Sequence, residues 1–185
     1  MKSSLASKPY LAGCRGTSNL LATHRYGIPS FGTMDHFAVQ ASEQVGVPLL
    51  ESEGSFFARF CEMFPHASTL LVDTYDITQG VINAVEAAGP ELGAVRIDSG
   101  DLGVLAHQVR AQLDSLGATG TRIVVSGDLD EYSIAGLAAA PVDVYGVGTS
   151  VVTGSGAPTA SMVYKLVEVD GVPVAKRSSH KESHG

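Results

Sequence analysis

Four short polar segments of this sequence combine carboxylates with glycines and hydroxyl side chains. They read Asp73-Thr74-Tyr75-Asp76, Asp98-Ser99-Gly100-Asp101, Ser126-Gly127-Asp128 and Gly146-Val147-Gly148-Thr149. Carboxylates that converge on one point suit a divalent cation or the hydroxyl groups of a sugar. Glycines beside Ser or Thr allow backbone amides to surround a phosphate. Together the segments predict a binding site for a sugar phosphate accompanied by magnesium.

Each segment also has a purely structural explanation, because Asp and Ser cap helices and glycine permits tight turns. Four such segments in register nevertheless favour one shared site. Arg96 stands inside an apolar run, where a charge is costly unless it is paired. We expect it either to pair with a neighbouring carboxylate or to reach an anionic substrate. His36 lies at a predicted strand-to-helix junction, and its local sequence alone is typical of a solvated histidine in a first helical turn.

An apolar run precedes each polar segment and is predicted to be a buried strand. The runs are residues 70–72, 94–97, 122–125 and 142–145, and segments with helical periodicity lie between them. The polar positions that follow the runs are 25, 28 and 20 residues apart. This spacing accommodates a strand, a helix and their loops, so the pattern predicts parallel strands joined by helical crossovers. Ligands of such sheets bind at the carboxyl ends of the strands.

The rest of the chain completes a predicted α/β fold. A strand is expected at residues 10–13, and helices at residues 18–26, 36–45 and 52–64. Asp170-Gly171 between two apolar runs is a strong hairpin signal, and residues 176–185 are expected to be a frayed tail. We predict an incomplete, irregular parallel β/α barrel of the TIM type with about six strands and a C-terminal β-hairpin, since a closed barrel usually needs about 200 residues or more. An open doubly wound sheet is the alternative.

The composition excludes several classes of protein. Hydrophobic residues make up 44% and charged residues 17%, as in globular domains and unlike disordered chains. The net charge of −7 argues against a surface for nucleic acid or anionic membranes. No apolar run approaches the roughly 18 residues of a membrane span, and no signal peptide is evident. Cys14 and Cys61 have no metal-binding spacing, so a reduced, cytoplasmic protein is expected, with a disulfide as the alternative.

Eight short motifs follow one another along the chain. They are Gly16-Thr17-Ser18-Asn19, Tyr26-Gly27-Ile28-Pro29, Gly32-Thr33-Met34-Asp35-His36, Leu71-Val72-Asp73-Thr74-Tyr75-Asp76, Arg96-Ile97-Asp98-Ser99-Gly100-Asp101-Leu102, Ser126-Gly127-Asp128-Leu129-Asp130-Glu131, Gly146-Val147-Gly148-Thr149 and Val163-Tyr164-Lys165-Leu166-Val167. In this order and spacing they resemble the motifs of nicotinate phosphoribosyltransferases across nearly the whole sequence, although no single motif is decisive.

The resemblance implies an irregular, incomplete α/β barrel and a separate domain built largely from the N-terminal part of the family's longer chains. Residues 1–160 are then expected to form a partial, phosphoribosyl-binding barrel, and residues 161–185 the hairpin and the polar tail. The family's N-terminal domain is expected to be absent, together with an arginine-bearing motif that helps bind the pyridine carboxylate. Because the family's members act as dimers, the resemblance also implies a homodimer.

The implied reaction joins nicotinate to phosphoribosyl pyrophosphate and releases nicotinate mononucleotide and pyrophosphate, in the salvage route of NAD biosynthesis. Mg²⁺ and ATP are implied as cofactor and co-substrate. ATP hydrolysis is coupled through a phosphorylated histidine, which by position is His36. Arg96 and Asp98 match the family's Arg-x-Asp-Ser-Gly-Asp motif and are implied as catalytic groups near the ribose hydroxyls and the substrate. No metal ligand is assigned.

The resemblance assigns other motif residues to substrate binding. The glycine-containing segments after the third and fourth predicted strands match the 5′-phosphate-binding segments of the family, and Ser18 lies near the expected pyridine pocket. The residues implied in substrate binding are Ser18, Asp73, Ser99, Gly100, Asp101, Ser126, Gly127, Asp128, Gly146, Gly148 and Thr149.

Two neighbours of His36 depart from the family pattern, which usually has a small residue before the histidine and often Ser after it. Asp35 and Phe37 stand there, and a carboxylate beside the imidazole would repel an incoming phosphate. A non-catalytic or truncated barrel remnant therefore stays open. So does another type II phosphoribosyltransferase, acting on nicotinamide or on quinolinate, although two substrate carboxylates would demand more basic residues than the rim has. A simple cofactor-binding domain is disfavoured, because Gly13-Cys14-Arg15-Gly16 poorly matches a dinucleotide-binding turn.

Overall fold

A parallel sheet organises the computed structural model, which describes residues 8–65, 69–154, 156–160, 162 and 164–174. Its strands are β1 Thr69–Leu71, β2 Ala94–Ile97, β3 Arg122–Val125 and β4 Val144–Tyr145. Each strand pairs in parallel with the next one in the sequence, so the order across the sheet is β1-β2-β3-β4. The register aligns Leu70 with Val95, Val95 with Ile123, and Val124 with Val144.

Helices precede the sheet and connect its strands. They are α1 Lys8–Leu11, α2 Leu20–Tyr26, α3 His36–Ala41, α4 Leu49–Met63, α5 Ile77–Ala88, α6 Leu102–Ser115, α7 Glu131–Gly136 and α8 Thr149–Thr153. α5, α6 and α7 follow β1, β2 and β3, and an aspartate caps each of them. The side chains of Asp76, Asp101 and Asp130 each accept a hydrogen bond from the backbone N–H three residues further on.

The order of the strands describes how the chain winds. A doubly wound sheet has a switch point, at which the strand order reverses and later strands are added on the other side of the first strand. The four strands described here advance in one direction without such a reversal. The chain is therefore an α/β protein with a parallel sheet, in which β2, β3 and β4 are each added on the same side of the preceding strand.

Buried side chains of the strands and of α4, α5 and α6 form one hydrophobic core. Leu70, Val95 and Ile123 occupy aligned positions on neighbouring strands and are completely buried, as is Phe57 of α4. Gly80 lets α5 lie directly against the end of β1, because a Cβ at this position would be 2.2 Å from the carbonyl oxygen of Val72. This packing sets the position of the loop between β1 and α5.

The N-terminal segment differs from the prediction. Residues 10–13, expected to form a strand, belong to α1 and to the turn that follows it. Pro9 has the fixed φ that suits a first helical turn, and the N–H of Ala12 donates to the carbonyl of Lys8. An isolated parallel bridge joins Thr17 to Ser30. The described part of the chain thus has four parallel strands where about six were expected.

A short antiparallel hairpin is present near the C-terminus, as predicted. Its strands are β5 Glu168–Val169 and β6 Val172–Pro173. Asp170 has φ 50° and Gly171 has φ 79°, and these left-handed values suit a tight two-residue turn. The polar tail expected over residues 176–185 lies outside the described residues.

The helices predicted before the sheet are observed with shifted ends. α2 begins after the capping residue Asn19, α3 ends earlier than expected, at Ala41, and α4 begins earlier, at Leu49. Among the described residues, none of the helices has the length and apolar character needed to cross a membrane. Cys14, which is exposed, and Cys61, which is partly buried, are free cysteines.

Candidate functional site

The polar segments predicted to form one site do lie at one edge of the sheet. Asp73, Asp98, Ser126 and Gly146 follow the carboxyl ends of β1, β2, β3 and β4, which are adjacent and parallel. Parallel pairing places these ends on the same side, so residues that are 20 to 28 positions apart in the sequence become neighbours. We call this edge the carboxyl rim.

Asp73 connects the first two strand ends. Its Oδ2 accepts a hydrogen bond of 3.1 Å from the backbone N–H of Asp98, and the hydroxyl of Ser99 donates to the same oxygen. Only 9% of Asp73 is exposed. The buried carboxylate therefore holds the Asp98-Ser99 turn against the end of β1, and its role extends beyond a helix cap.

Arg96 makes hydrogen bonds to several segments at the rim. Its Nη2 lies 2.8 Å from Oδ1 of Asp98, and its Nε donates to Oγ of Ser126 at 2.7 Å. Its Nη1 donates to the carbonyl oxygen of Met34 at 3.0 Å and to Oγ1 of Thr33 at 3.3 Å. The guanidinium thus ties β2 to the end of β3 and to the segment that leads into α3.

The Asp98 carboxylate is held in its ionised form. Burial by itself raises the pKa of this carboxyl, but hydrogen bonds from His36, Ser126 and Arg96, together with the charge of Arg96, outweigh it. The net result lowers the pKa of Asp98 well below its ordinary value of 3.8. A permanent negative charge therefore stands at the centre of the rim.

His36, the first residue of α3, faces both rim carboxylates. Its Nδ1 lies 3.1 Å from Oγ1 of Thr74, and its Nε2 lies 3.6 Å from Oδ2 of Asp98 and 3.9 Å from Oδ1 of Asp73. Its side chain is 19% exposed. The solvated histidine suggested by the local sequence is wrong, because the rim encloses this imidazole.

The two residues that depart from the family pattern beside His36 point to other parts of the molecule. Asp35 is exposed and precedes α3 without a side-chain capping bond. Phe37 packs edge-on against Tyr164, with ring centroids 6.1 Å apart, and so joins α3 to the C-terminal segment. Asp73 and Asp98 each place a carboxylate oxygen within 4 Å of Nε2 of the imidazole.

A left-handed turn follows β3 and packs closely on the rim. Gly127 has φ 107° and Asp128 has φ 50°. A Cβ on Gly127 would lie 2.5 Å from the carbonyl oxygen of Asp98, and a Cβ on Gly146 would lie 3.2 Å from the Cβ of Ser126. The glycines therefore keep the ends of β2, β3 and β4 close together, beside the rim carboxylates.

The remaining predicted site residues are further from the cluster. Gly100 has φ 83° in the turn before α6, and the exposed Asp101 caps that helix. Gly148 and Thr149 begin α8 and are exposed. Ser18 is exposed beside the capping residue of α2, and none of the described contacts joins it to the Arg96–Asp98 pair.

Several rim residues were missed by the sequence reasoning. Thr33 and Met34 bind Arg96 but were given no site role, and Thr74, which contacts His36, was named only as part of the polar segment 73–76. Glu53 was also missed. Its position one turn before the apolar face of α4 at Phe57 was the available signal.

The described residues contain no group of three or more His, Cys, Asp or Glu side chains arranged to hold a metal ion. Mg²⁺ in phosphate-handling sites is commonly bound through one or two carboxylates and the phosphates of the substrate. Within the described part of the chain the rim carboxylates could therefore supply only part of the coordination of such an ion.

Comparisons with known proteins agree with the motifs. The chain matches the family model described as "Nicotinate phosphoribosyltransferase (NAPRTase) family" over residues 4–184. Nicotinate phosphoribosyltransferase pncB1 of Mycobacterium tuberculosis is 64% identical over 180 residues, which cover 97% of this chain and 40% of the relative. Nicotinate phosphoribosyltransferase pncB2 of the same organism is 46% identical, over 96% of this chain and 38% of the relative.

A solved structure agrees with the fold as well. Nicotinate-nucleotide pyrophosphorylase from Pyrococcus furiosus superposes with a TM-score of 0.69 and 31% identity, over 96% of this chain and 46% of that chain. The chain spans about two-fifths of the length of the curated relatives given above. The family model covers almost every residue of the part that is present, including the whole carboxyl rim. This chain therefore belongs to the nicotinate phosphoribosyltransferase family.

Proposed function

We propose that the chain carries the phosphoribosyl-binding half of a nicotinate phosphoribosyltransferase. The enzyme would form nicotinate mononucleotide and pyrophosphate from nicotinate and phosphoribosyl pyrophosphate, with ATP hydrolysis, in NAD salvage. The observation that carries this proposal is the cluster of His36, Asp73, Arg96 and Asp98 at the carboxyl rim of a chain that belongs to this family. A histidine enclosed by two carboxylates and an arginine suits transfer of phosphate and of a ribosyl cation.

His36 is the proposed phosphate acceptor from ATP. With the ring proton on Nε2, His36 donates to Asp98; for Nε2 to attack, this proton must instead be on Nδ1, where it donates to Oγ1 of Thr74 and leaves the lone pair of Nε2 facing the rim. Nε2 would attack the γ-phosphorus, the bond from phosphorus to the bridging oxygen would break, and ADP would leave. Water would later hydrolyse the phosphohistidine. The negative charge of the phosphohistidine would favour closure of the site around the substrate, whose diphosphate would bring Mg²⁺ with it.

Asp98 and Arg96 are proposed to act at the ribosyl centre. As the bond from C1′ to pyrophosphate breaks, positive charge develops on the sugar, and the ionised Asp98 is suited to stabilise it. The nitrogen of nicotinate then forms the new bond to C1′. Arg96 keeps Asp98 and Ser126 in position through its own hydrogen bonds, so its contribution is to orient the carboxylate.

The other predicted site residues complete the proposed substrate contacts. Backbone amides of the turns around Gly127 and Gly146 would bind the 5′-phosphate, which their close approach to β2 and Ser126 supports. Asp73 and the Asp98-Ser99 turn would bind ribose hydroxyls, and Ser18 is proposed near the pyridine ring. The residues proposed for substrate binding are Ser18, Asp73, Ser99, Gly100, Asp101, Ser126, Gly127, Asp128, Gly146, Gly148 and Thr149.

The assembly is proposed on the same basis. Residues 1–160 would form part of an irregular TIM-like barrel, which the one-directional strand order supports, and residues 161–185 the hairpin and tail. A homodimer is proposed, supported by apolar side chains such as Leu11 and Leu20 that are 81% and 73% exposed. Mg²⁺ would arrive with the diphosphate of the substrate. A cytoplasmic location is supported by the free thiols of Cys14 and Cys61.

Phosphorylation of His36 tests the proposal. Incubation with magnesium and ATP labelled in the γ-phosphate is expected to give a protein-bound phosphate that is labile in acid and stable in base. His36→Ala is expected to abolish this label. His107→Ala is the matched control, because His107 is an exposed histidine of α6 remote from the rim, and it is expected to label like the parent.

Two results would contradict the proposal. Equal labelling of the parent and of His36→Ala would move the phosphate acceptor to another residue. No labelling of the parent, with the fold intact by circular dichroism, would favour the barrel remnant. A coupled assay for nicotinate mononucleotide then reports whether the labelled protein completes the reaction.

A further inference from the structure

A buried carboxyl group lies behind the rim and takes no part in the proposed chemistry. Glu53 of α4 is completely buried. Its Oε2 accepts a hydrogen bond of 3.0 Å from Nδ2 of Asn83 on α5, and its Oε1 has no hydrogen-bond partner among the described residues. A fully buried carboxylate with one unpaired oxygen is costly, so its presence needs a reason.

The contacts of Asn83 fix Glu53 between two helices. Nδ2 of Asn83 also donates to the carbonyl oxygen of Leu50 at 2.9 Å, and its Oδ1 accepts from Nε2 of Gln79 at 3.0 Å. α4 and α5 are thereby joined by a polar network within an apolar interface. Because α5 begins directly after the loop that carries Asp73 and Thr74, this network supports the loop that His36 contacts.

The groups that face Glu53 are acidic or neutral. Asp73 and Asp76, from the loop between β1 and α5, act on its charge. Burial, the hydrogen bond to Glu43 and the charges of Glu43 and Glu53 raise the pKa of Tyr75 in the same loop. The hydroxyl of Tyr75 donates this hydrogen bond to Glu43, which lies in the segment between α3 and α4. No Lys or Arg contributes among the charges that act on Glu53 in the described part of the chain. An ionised Glu53 would therefore add a second buried negative charge behind Asp73.

We propose that Glu53 is a positioning residue which, as an uncharged acid, allows Asp73 to remain the single buried anion behind His36. Ionisation of Glu53 would make the rim more negative and repel the phosphates of ATP. It would also weaken the α4–α5 contact that supports Asp73. This role rests on the proposed function of His36.

The protonation of Glu53 falls in a range that an experiment can reach. Burial raises the pKa of Glu53, the charges of Asp73 and Asp76 raise it further, and the hydrogen bond from Asn83 partly opposes them. Together they raise this pKa from 4.5 to about 7. The site is therefore expected to lose its arrangement as the pH rises through this value.

The test follows phosphohistidine formation as a function of pH in the full chain. For the parent, labelling is expected to fall about tenfold between about pH 6 and about pH 8, as one group changes from mostly protonated to mostly ionised. Glu53→Gln keeps the shape and the acceptor oxygen but cannot ionise, and it is expected to lose this decline. Glu51→Gln is the matched control, an exposed glutamate in the first turn of the same helix, and it should retain the parent's profile.

A second variant, Asn83→Ala, tests the proposal even if Glu53→Gln does not fold. Asn83→Ala removes the hydrogen bond that stabilises the charged carboxylate, so the decline is expected at higher pH than in the parent. A parent profile without the decline, or the same decline in Glu53→Gln as in the parent, overturns the proposal. The proposal is also overturned if labelling of Asn83→Ala declines at the same pH as labelling of the parent.

Nuclear magnetic resonance separates this inference from the proposed function. In the parent, the imidazole signals of His36 are expected to show an inflection near the pKa of Glu53, and Glu53→Gln should remove it. If no variant is labelled but this difference is seen, the phosphate transfer is wrong and the positioning role stands. If the parent is labelled and the His36 signals of parent and variant titrate identically, Glu53 has no positioning role.

Discussion

At the scale of single residues, the direction of each hydrogen bond distinguishes Arg96 from the substrate-binding arginine that a sequence motif suggests. The N–H groups of its guanidinium donate hydrogen bonds to Asp98, Ser126, Thr33 and the carbonyl of Met34. A guanidinium bound to four groups of its own protein is better suited to hold a carboxylate in place than to bind a free anion. We therefore propose Asp98, and not Arg96, as the charge that faces the substrate.

Removal of the Asp98 charge is expected to weaken both the substrate site and the fold. Asp98→Asn should weaken binding of phosphoribosyl pyrophosphate, and it should lower the free energy of unfolding at neutral pH by about 1–3 kcal/mol through the loss of charged hydrogen bonds. Because the folded-state pKa of Asp98 is lowered, its contribution is present above the ordinary pKa of 3.8 and is lost as the pH falls below that value. The stability difference between parent and variant should therefore shrink in acid.

Urea unfolding at about pH 7 and about pH 3 measures this difference. Asp114→Asn is the control, since Asp114 pairs with Arg110 on the exposed face of α6 and is 50% exposed. Such a surface pair contributes only about 0.3–0.5 kcal/mol. A difference between parent and Asp98→Asn that is the same at both pH values would show that Asp98 is not held ionised by its neighbours.

At the scale of elements, the position of the rim depends on how closely α5 lies against β1. Gly80 on α5 leaves 2.2 Å between the place of a Cβ and the carbonyl oxygen of Val72, a distance at which no side chain fits. Asp73 follows Val72 directly, so any displacement of α5 moves the carboxylate that holds the Asp98-Ser99 turn. The helix and the site are therefore mechanically connected.

Gly80→Ala tests this connection. In most helices Gly→Ala is stabilising, but here the new methyl group must displace backbone, and the expected loss of stability is about 3 kcal/mol. Gly136→Ala is the matched control, because Gly136 ends α7 with helical φ −64° and ψ −32° and has open space around it. That variant should gain up to about 1 kcal/mol. Chemical denaturation reports both, and a stabilised Gly80→Ala would mean that α5 is not in contact with Val72.

At the scale of the whole molecule, the described rim is acidic in a chain of net charge −7. Its central cation, Arg96, is already paired with Asp98. Glycine turns and carboxylates suit a ribose phosphate, whereas the carboxylate of nicotinate needs a cation that is free to bind it. The curated relatives given above are more than twice as long as the matched region, so much of their sequence has no counterpart here.

The glycine turns, the carboxylates and the paired Arg96 of the rim predict which substrate the chain binds. Isothermal titration calorimetry is expected to detect phosphoribosyl pyrophosphate in the presence of magnesium, and to detect nicotinate more weakly or not at all. Ribose 5-phosphate is a useful comparison, because it shares the 5′-phosphate and the hydroxyls and lacks the diphosphate. Tight binding of nicotinate without binding of phosphoribosyl pyrophosphate would contradict the assignment of the rim to the sugar phosphate.

The local pattern of the sequence was sufficient to predict much of the sheet. The apolar runs 94–97 and 122–125 are β2 and β3 without any shift, because a buried strand is defined by a few consecutive apolar residues. The polar residues after each run fall at the carboxyl rim for the same reason, since parallel pairing follows from the alternation of strands and helices. Where local signals conflicted, as at Pro9 and Gly13, the expected strand was wrong.

Only the tertiary structure decided which groups meet at the rim. His36 and Thr74 are 38 residues apart in the chain, and Arg96 and Met34 are 62 residues apart. Sequence periodicity shows that a side chain will be buried, but it carries no information about which distant donor or acceptor will face it. The same limit explains why Glu53 was overlooked: the sequence places an acid near an apolar helix face, and only the packing of α4 on α5 provides Asn83 to hold it behind Asp73.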